Sequence, residues 1–203
     1  MNSLYEKPIE IRFEHILQIL ESRSFLEMQG LNNEIPFFIF PYRPQEQNEI
    51  TVMCQVLIKH LASEGIVVLD INIYDLTITL LKEQGVWESI LENETSLSKK
   101  ELMEDLQSSL NPEHHLVPAI AGRMENESFD ILFLTGIGEV FPYIRSHNIL
   151  NNLQSTAKAF PTLIWFPGKY TFTPEGGSSL DLFGLLHDDK YYRAFNILEY
   201  QLG

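Results

Sequence analysis

Phe13, Ile16, Leu17 and Leu20 follow Pro8 at the spacing of one helical face, and Gly30 punctuates the stretch, which predicts an amphipathic lead-in helix. The run Ile35-Pro36-Phe37-Phe38-Ile39-Phe40 is too short for a buried helix and lies between turn residues, so it reads as a buried strand. Ile50, Met53, Cys54, Leu57 and Leu61 again share a helical face, with Gly65 placed for a left-handed cap, and Ile66 to Ile71 forms a second apolar run. Strand, helix and strand in so few residues define a βαβ unit with parallel strands covered on both faces.

Polar positions dominate the middle. Residues 83 to 113 carry eight Asp or Glu and two Lys, and helices are expected there as an acidic insertion spanning about 83–126. Ser98 with Glu101 spells a capping box, flanked by Leu97 and Leu102 as a hydrophobic staple, and Asn111-Pro112 opens a helix through Val117, Ile120, Ala121 and Met124. Phe129 to Leu134 predicts a third strand, Pro142 opens a helix through Ile149, Leu150 and Leu153, and Thr162 to Phe166 predicts a fourth strand ended by Pro167-Gly168. Beyond it Gly176 to Ser179 reads as loop, and Tyr191 to Leu198 as a further strand. No repeat or long linker divides the chain, so residues 1–203 are expected to form a single α/β domain. Its expected core is a mostly parallel sheet with helices on both faces, in a P-loop-NTPase-like topology. Phe38, Val68, Leu132 and Ile164 mark strand positions expected to be covered on both faces.

Charge narrows the function classes. Fourteen Lys and Arg against 28 Asp and Glu give a formal net charge of −14, which opposes unaided binding to nucleic acid or an anionic membrane. One cysteine, Cys54, can close no intrachain disulfide and build no multi-thiolate zinc site, and its place on an apolar helix face makes it a core thiol. No apolar run approaches the roughly 20 residues of a membrane span, and Met1 to Pro8 lacks the form of a secretory signal, so a cytoplasmic address is expected.

Ligands of an open parallel sheet bind beyond the carboxyl ends of its strands, which directs attention to the loops after Phe40, Ile71, Leu134 and Phe166. The first, Pro41 to Asn48, contains neither glycine nor lysine, so a nucleotide fold here lacks its phosphate loop. Gly168-Lys169 lacks the earlier glycine of that motif. Gly136-Ile137-Gly138 follows a strand as a dinucleotide turn would, but Phe141 stands at the third glycine position and a tight turn suffices. His187-Asp188-Asp189, with Asp181 nearby, carries hard-metal donors without a His-x-x-x-His partner and is read as a solvated polar turn. His114-His115 in a first helical turn cannot share a ligand, and Ser178-Ser179 lacks a nucleophile elbow. No complete catalytic motif, metal site or cofactor site emerges.

Four stretches taken together resemble one family: Pro36 to Tyr42, Gly136 to His147, Pro161 to Gly168, and Ser179 to Ile197, the last the most specific. The sequence resembles the BrxB family of bacterial BREX anti-phage systems over nearly its whole length. The resemblance implies a cytoplasmic defence protein encoded beside a BrxC-like ATPase, a PglX-like DNA methyltransferase and a PglZ-like phosphatase-superfamily protein. It supplies no catalytic residues to carry over. The leading expectation is therefore a non-enzymatic assembly factor contacting the PglZ-like or BrxC-like subunit, with no cofactor and no direct nucleic-acid contact. Tyr42, Tyr143, Tyr170 and Tyr191, near strand ends, are candidate aromatic anchors, each with a core role as the alternative. The other expected contacts are Arg43, Arg145, His187, Asp188, Asp189 and Arg193. The competing expectation is a nucleotide- or phosphate-binding regulatory protein in which Arg43, Arg145 and Arg193 replace the missing lysine.

Overall fold

The computed structural model describes residues 3–29, 35–173, 177–189 and 194–201, with backbone alone for 172, 173, 177, 178 and 186–189. Its sheet is built from β1 (Phe37–Tyr42), β2 (Val68–Asn72), β3 (Ile131–Thr135), β4 (Thr162–Thr173), β5 (Gly177–Leu182), β6 (Leu186–Asp189) and β7 (Phe195–Asn196). The order is β2-β3-β4-β1-β7, parallel throughout, and β4 runs on into an antiparallel hairpin with β5 and β6. This is an α/β protein with a mostly parallel sheet, and its order is compatible with the P-loop-like expectation.

Period-two alternation sorts each strand onto two cores. Phe37, Ile39, Leu69, Ile71, Leu132, Leu134, Ile164 and Phe166 face one core. It is covered by α4 (Ile73–Glu83), α7 (Val117–Asn126) and α8 (Ser146–Leu153). Phe38, Phe40, Tyr42, Ile131, Phe133, Leu163 and Trp165 face the other, beneath α1 (Ile9–Leu20), the short α2 (Arg23–Leu26) and α3 (Gln47–Ser63). The strands are apolar on both sides because both sides are covered.

Several sequence expectations take a different form. β1 and β2 are parallel, but β4 and β3 lie between them, so α3 carries the chain over two strand positions. The helix expected from Pro142 begins instead at Ser146, after turns over residues 137–143. Pro167-Gly168 does not end β4, which continues six residues beyond Pro167 to pair with β5. A Cβ at Gly168 would collide with the Asp181 carbonyl oxygen, so this glycine marks close backbone approach within the hairpin. His187 to Asp189 lies in strand β6, and the turn falls at Phe183-Gly184-Leu185, where Phe183 and Gly184 both have positive φ. The segment expected as loop begins β5 at Gly177, whereas Gly30, Tyr191 and Arg193 lie outside the described residues.

Between β2 and β3 come α4, α5 (Trp87–Asn93), α6 (Lys99–Ser109), a π turn at Pro112–Leu116 and α7. The Ser98 capping box forms as expected: Glu101 N–H donates to Ser98 Oγ (3.3 Å), and Ser98 N–H to Glu101 Oε2 (2.9 Å). Among the described residues no helix is long and apolar enough to cross a membrane.

Candidate functional site

The carboxyl ends of the parallel strands β1, β3 and β4 share one edge of the sheet, the side on which open parallel sheets bind ligands. At the end of β1 the chain turns through Pro44–Glu46 into α3. Pro44 presets the first position of that turn, and the Glu46 carboxylate folds back to accept from the Arg43 backbone N–H (3.0 Å). Glu46 also accepts from Arg12 Nη2 on α1 (2.6 Å) and lies 3.5 Å from Arg43 Nη1. Arg43 pairs in addition with Glu6, and its guanidinium lies 5.8 Å from the Tyr5 ring centre. A chain of alternating charge, Glu6, Arg43, Glu46 and Arg12, therefore closes the β1–α3 junction.

The consequence is electrostatic. A helix start following a parallel strand offers unpaired N–H groups and a positive dipole end to a phosphate. Here the Glu46 carboxylate, at the residue before α3, folds back onto the Arg43 backbone rather than onto the N–H groups of α3, and both arginines of the junction, Arg12 and Arg43, are already paired with carboxylates. Arg12 is 0% exposed, packs 6.0 Å from the Phe40 ring centre, and its Nε and Nη1 find no hydrogen-bond partner among the described residues. Neither Arg12 nor Glu46 was singled out from the sequence. Glutamate two residues after Pro44 was the available signal, since it is the third residue of the turn that leads into a helix.

The expected contact residues separate. Tyr42 is 3% exposed, donates its hydroxyl to Gln47 Oε1 (2.6 Å), and burial pushes its phenol above the ordinary value. It belongs to the core. Tyr170 is likewise buried and donates to the Ala194 carbonyl (2.6 Å). Tyr143 is half-buried and hydrogen-bonded to Thr77, and burial raises its pKa. Arg145 is exposed at the start of α8 with no ion-pair partner among the described residues. His187, Asp188 and Asp189 stand opposite Asp181, Leu180 and Ser179 on the hairpin that projects beyond the sheet edge.

The glycines after β3 are accounted for by packing. Gly136 has φ +71°, and a Cβ there would strike the Asn72 side chain, whose Oδ1 caps α4 by accepting from Asp75 N–H (3.1 Å). A Cβ on Gly138 would lie 2.6 Å from Pro167 Cγ and 3.1 Å from Phe183 Cε1, so the hairpin turn packs directly on this loop. Among the described residues no three His, Cys, Asp or Glu side chains gather to hold a metal ion. Cys54 is buried on the inner face of α3, and burial, with Asp70 adding to it, raises its thiol pKa. In the native protein it is expected to resist a thiol-selective reagent that titrates one equivalent in denaturant; rapid native labelling would contradict this placement.

With this geometry in hand, comparison with known proteins is specific. The family model described as "BREX protein BrxB" matches residues 69–197. A protein named BREX protein BrxB from Bacillus cereus (strain H3081.97) is 34% identical over 197 residues, covering 94% of this chain and 98% of its own length. Another of the same name from Escherichia coli O9:H4 (strain HS) is 27% identical over 190 residues, covering 94% of this chain and 92% of its own. No solved structure matches the chain. The fold defines an α/β protein with a mostly parallel sheet whose β1–α3 junction is held by ion pairs among its own side chains. The chain belongs to the BrxB family of BREX proteins.

Proposed function

We propose that this BREX component works in the cytoplasm as a non-enzymatic adaptor in phage defence, bridging larger subunits of the assembly. The observation that supports this reading most is the Glu46 closure of the β1–α3 junction, which ties the β1 end of the sheet's carboxyl edge into intramolecular ion pairs. The same closure weighs against the phosphate-binding alternative, because a phosphate would have to displace Glu46 and Glu6 from Arg43. The PglZ-like and BrxC-like subunits are the partners this reading favours. On this chain the proposed contact residues are Arg43, Arg145 and the His187-Asp188-Asp189 strand, with Tyr42 holding the junction from inside; Arg193 lies outside the described residues.

Tagged chain expressed with its native operon is expected to carry at least one large BREX subunit through purification at moderate salt. Recovery of neither the PglZ-like nor the BrxC-like subunit would overturn the adaptor reading. A net charge of −14 also predicts that the isolated chain retains no duplex DNA at physiological ionic strength. A gel shift persisting at that salt would count against leaving DNA contact to the partners.

A further inference from the structure

We infer that the open groove between α1 and α3 receives a cationic amphipathic helix of a partner protein. This rests on the adaptor reading and deepens it, since a bridge needs a second face. The groove encloses about 660 Å³ and lies on the outer surface of the helix layer over the second core. Ile9 and Phe13 of α1 form one wall, and Val52, Met53 and Val56 of α3 form the other. Val52 is 60% exposed and Val56 51%, so two β-branched apolar side chains one helical turn apart meet solvent.

Charge identifies the occupant. Glu10 and Glu14 on α1 and Glu49 on α3 rim the groove, and no lining residue is basic. None of the three carboxylates has an ion-pair partner among the described residues. Glu10 and Glu14 are four apart on one helix, a like-charge pair that slightly destabilises the isolated helix and that a partner's cation beside them would offset. Apolar walls with an uncompensated acidic rim match a helix whose apolar stripe is flanked by lysine or arginine. A second copy fits poorly, because an isologous contact would set the same three carboxylates against one another on chains of net charge −14. The walls are also held in place: Ile16, Leu20, Leu57 and Leu61 are fully buried on their inner sides, and Arg12 pins α1 to Glu46. Such a preformed groove loses little freedom on binding.

The test expresses the full tagged chain with its native operon alongside two variants, Val52→Ser/Val56→Ser and Glu10→Gln/Glu14→Gln/Glu49→Gln. All substituted groups are solvent-facing, so both variants are expected to melt within a few degrees of the parent. Retention of one operon subunit should fall at least tenfold in each. Carbodiimide coupling of the parent complex should join Glu10, Glu14 or Glu49 to lysines spaced three or four apart in that subunit. Undiminished retention by both variants would overturn the groove while leaving the adaptor reading intact. Recovery of no subunit by the parent chain would instead strike the adaptor reading itself. A parent dimer in sedimentation that the Ser variant dissolves would assign the groove to a second copy and overturn the proposal.

Discussion

Replacing Glu46 by alanine is expected to destabilise the folded chain by about 3–5 kcal/mol, the cost of leaving a buried charge without its partner. Arg12 is fully buried, its Nε and Nη1 already lack partners among the described residues, and Glu46 is its only carboxylate there. The alanine also removes the carboxylate that accepts from the Arg43 backbone and steadies the entry to α3. For a chain of this size the melting temperature should fall by roughly 10 °C. Arg12→Met is expected to be far milder, because Met fills the space over Phe40 and Glu46 keeps Arg43 as a partner. Combining Arg12→Met with Glu46→Ala should recover most of the loss seen with alanine alone. Thermal melts of the three variants check this, and a Glu46→Ala protein as stable as the parent would refute the pinned junction.

An aspartate at Phe38, Leu132 or Ile164 is expected to abolish soluble expression. These residues lie on β1, β3 and β4, each flanked by a strand on both sides, and they are almost wholly buried between the two helix layers. An unpaired carboxylate there costs more than about 4 kcal/mol, against a total stability on the order of 5–15 kcal/mol. Val68 differs from the sequence expectation. It is half-buried on the edge strand β2, beside the half-exposed Val67, so its aspartate can reach water. Val68→Asp should stay soluble with a lowered melting temperature. Expression and melting of the four variants test the layer assignment, and soluble, cooperatively melting Ile164→Asp would contradict it.

What the sequence made legible was local. Four of the apolar runs became β1 to β4 because a strand covered on both faces must be apolar at successive positions. Ser98 and Glu101 capped a helix, and Gly65, at φ +81°, ended another. What stayed hidden depended on contacts far apart in the chain. Arg12 sits beside Phe13 and Ile16 in a pattern that gives no sign of burial, since its partner lies 34 residues away. The groove was hidden for the same reason: Glu10, Glu14 and Glu49 became one rim only when α1 packed beside α3. At Pro167-Gly168 a genuine signal had a second meaning. Proline and glycine suggest a stop, yet here glycine lets two hairpin backbones approach, and β4 runs through. Likewise Gly136 and Gly138 carry the spacing of a cofactor turn while serving contacts to Asn72, Pro167 and Phe183.

Glu46 and Glu6 hold Arg43 at the β1–α3 junction, and the proposed adaptor role requires that nucleotide phosphate not displace them. Calorimetric titration of the purified full chain with ATP and GTP, with and without magnesium, tests this most directly. No saturable heat and no thermal shift at millimolar nucleotide are expected. Saturable binding that disappears in Arg43→Ala would contradict the account, because it would mean that nucleotide phosphate displaces Glu46 and Glu6 from that arginine.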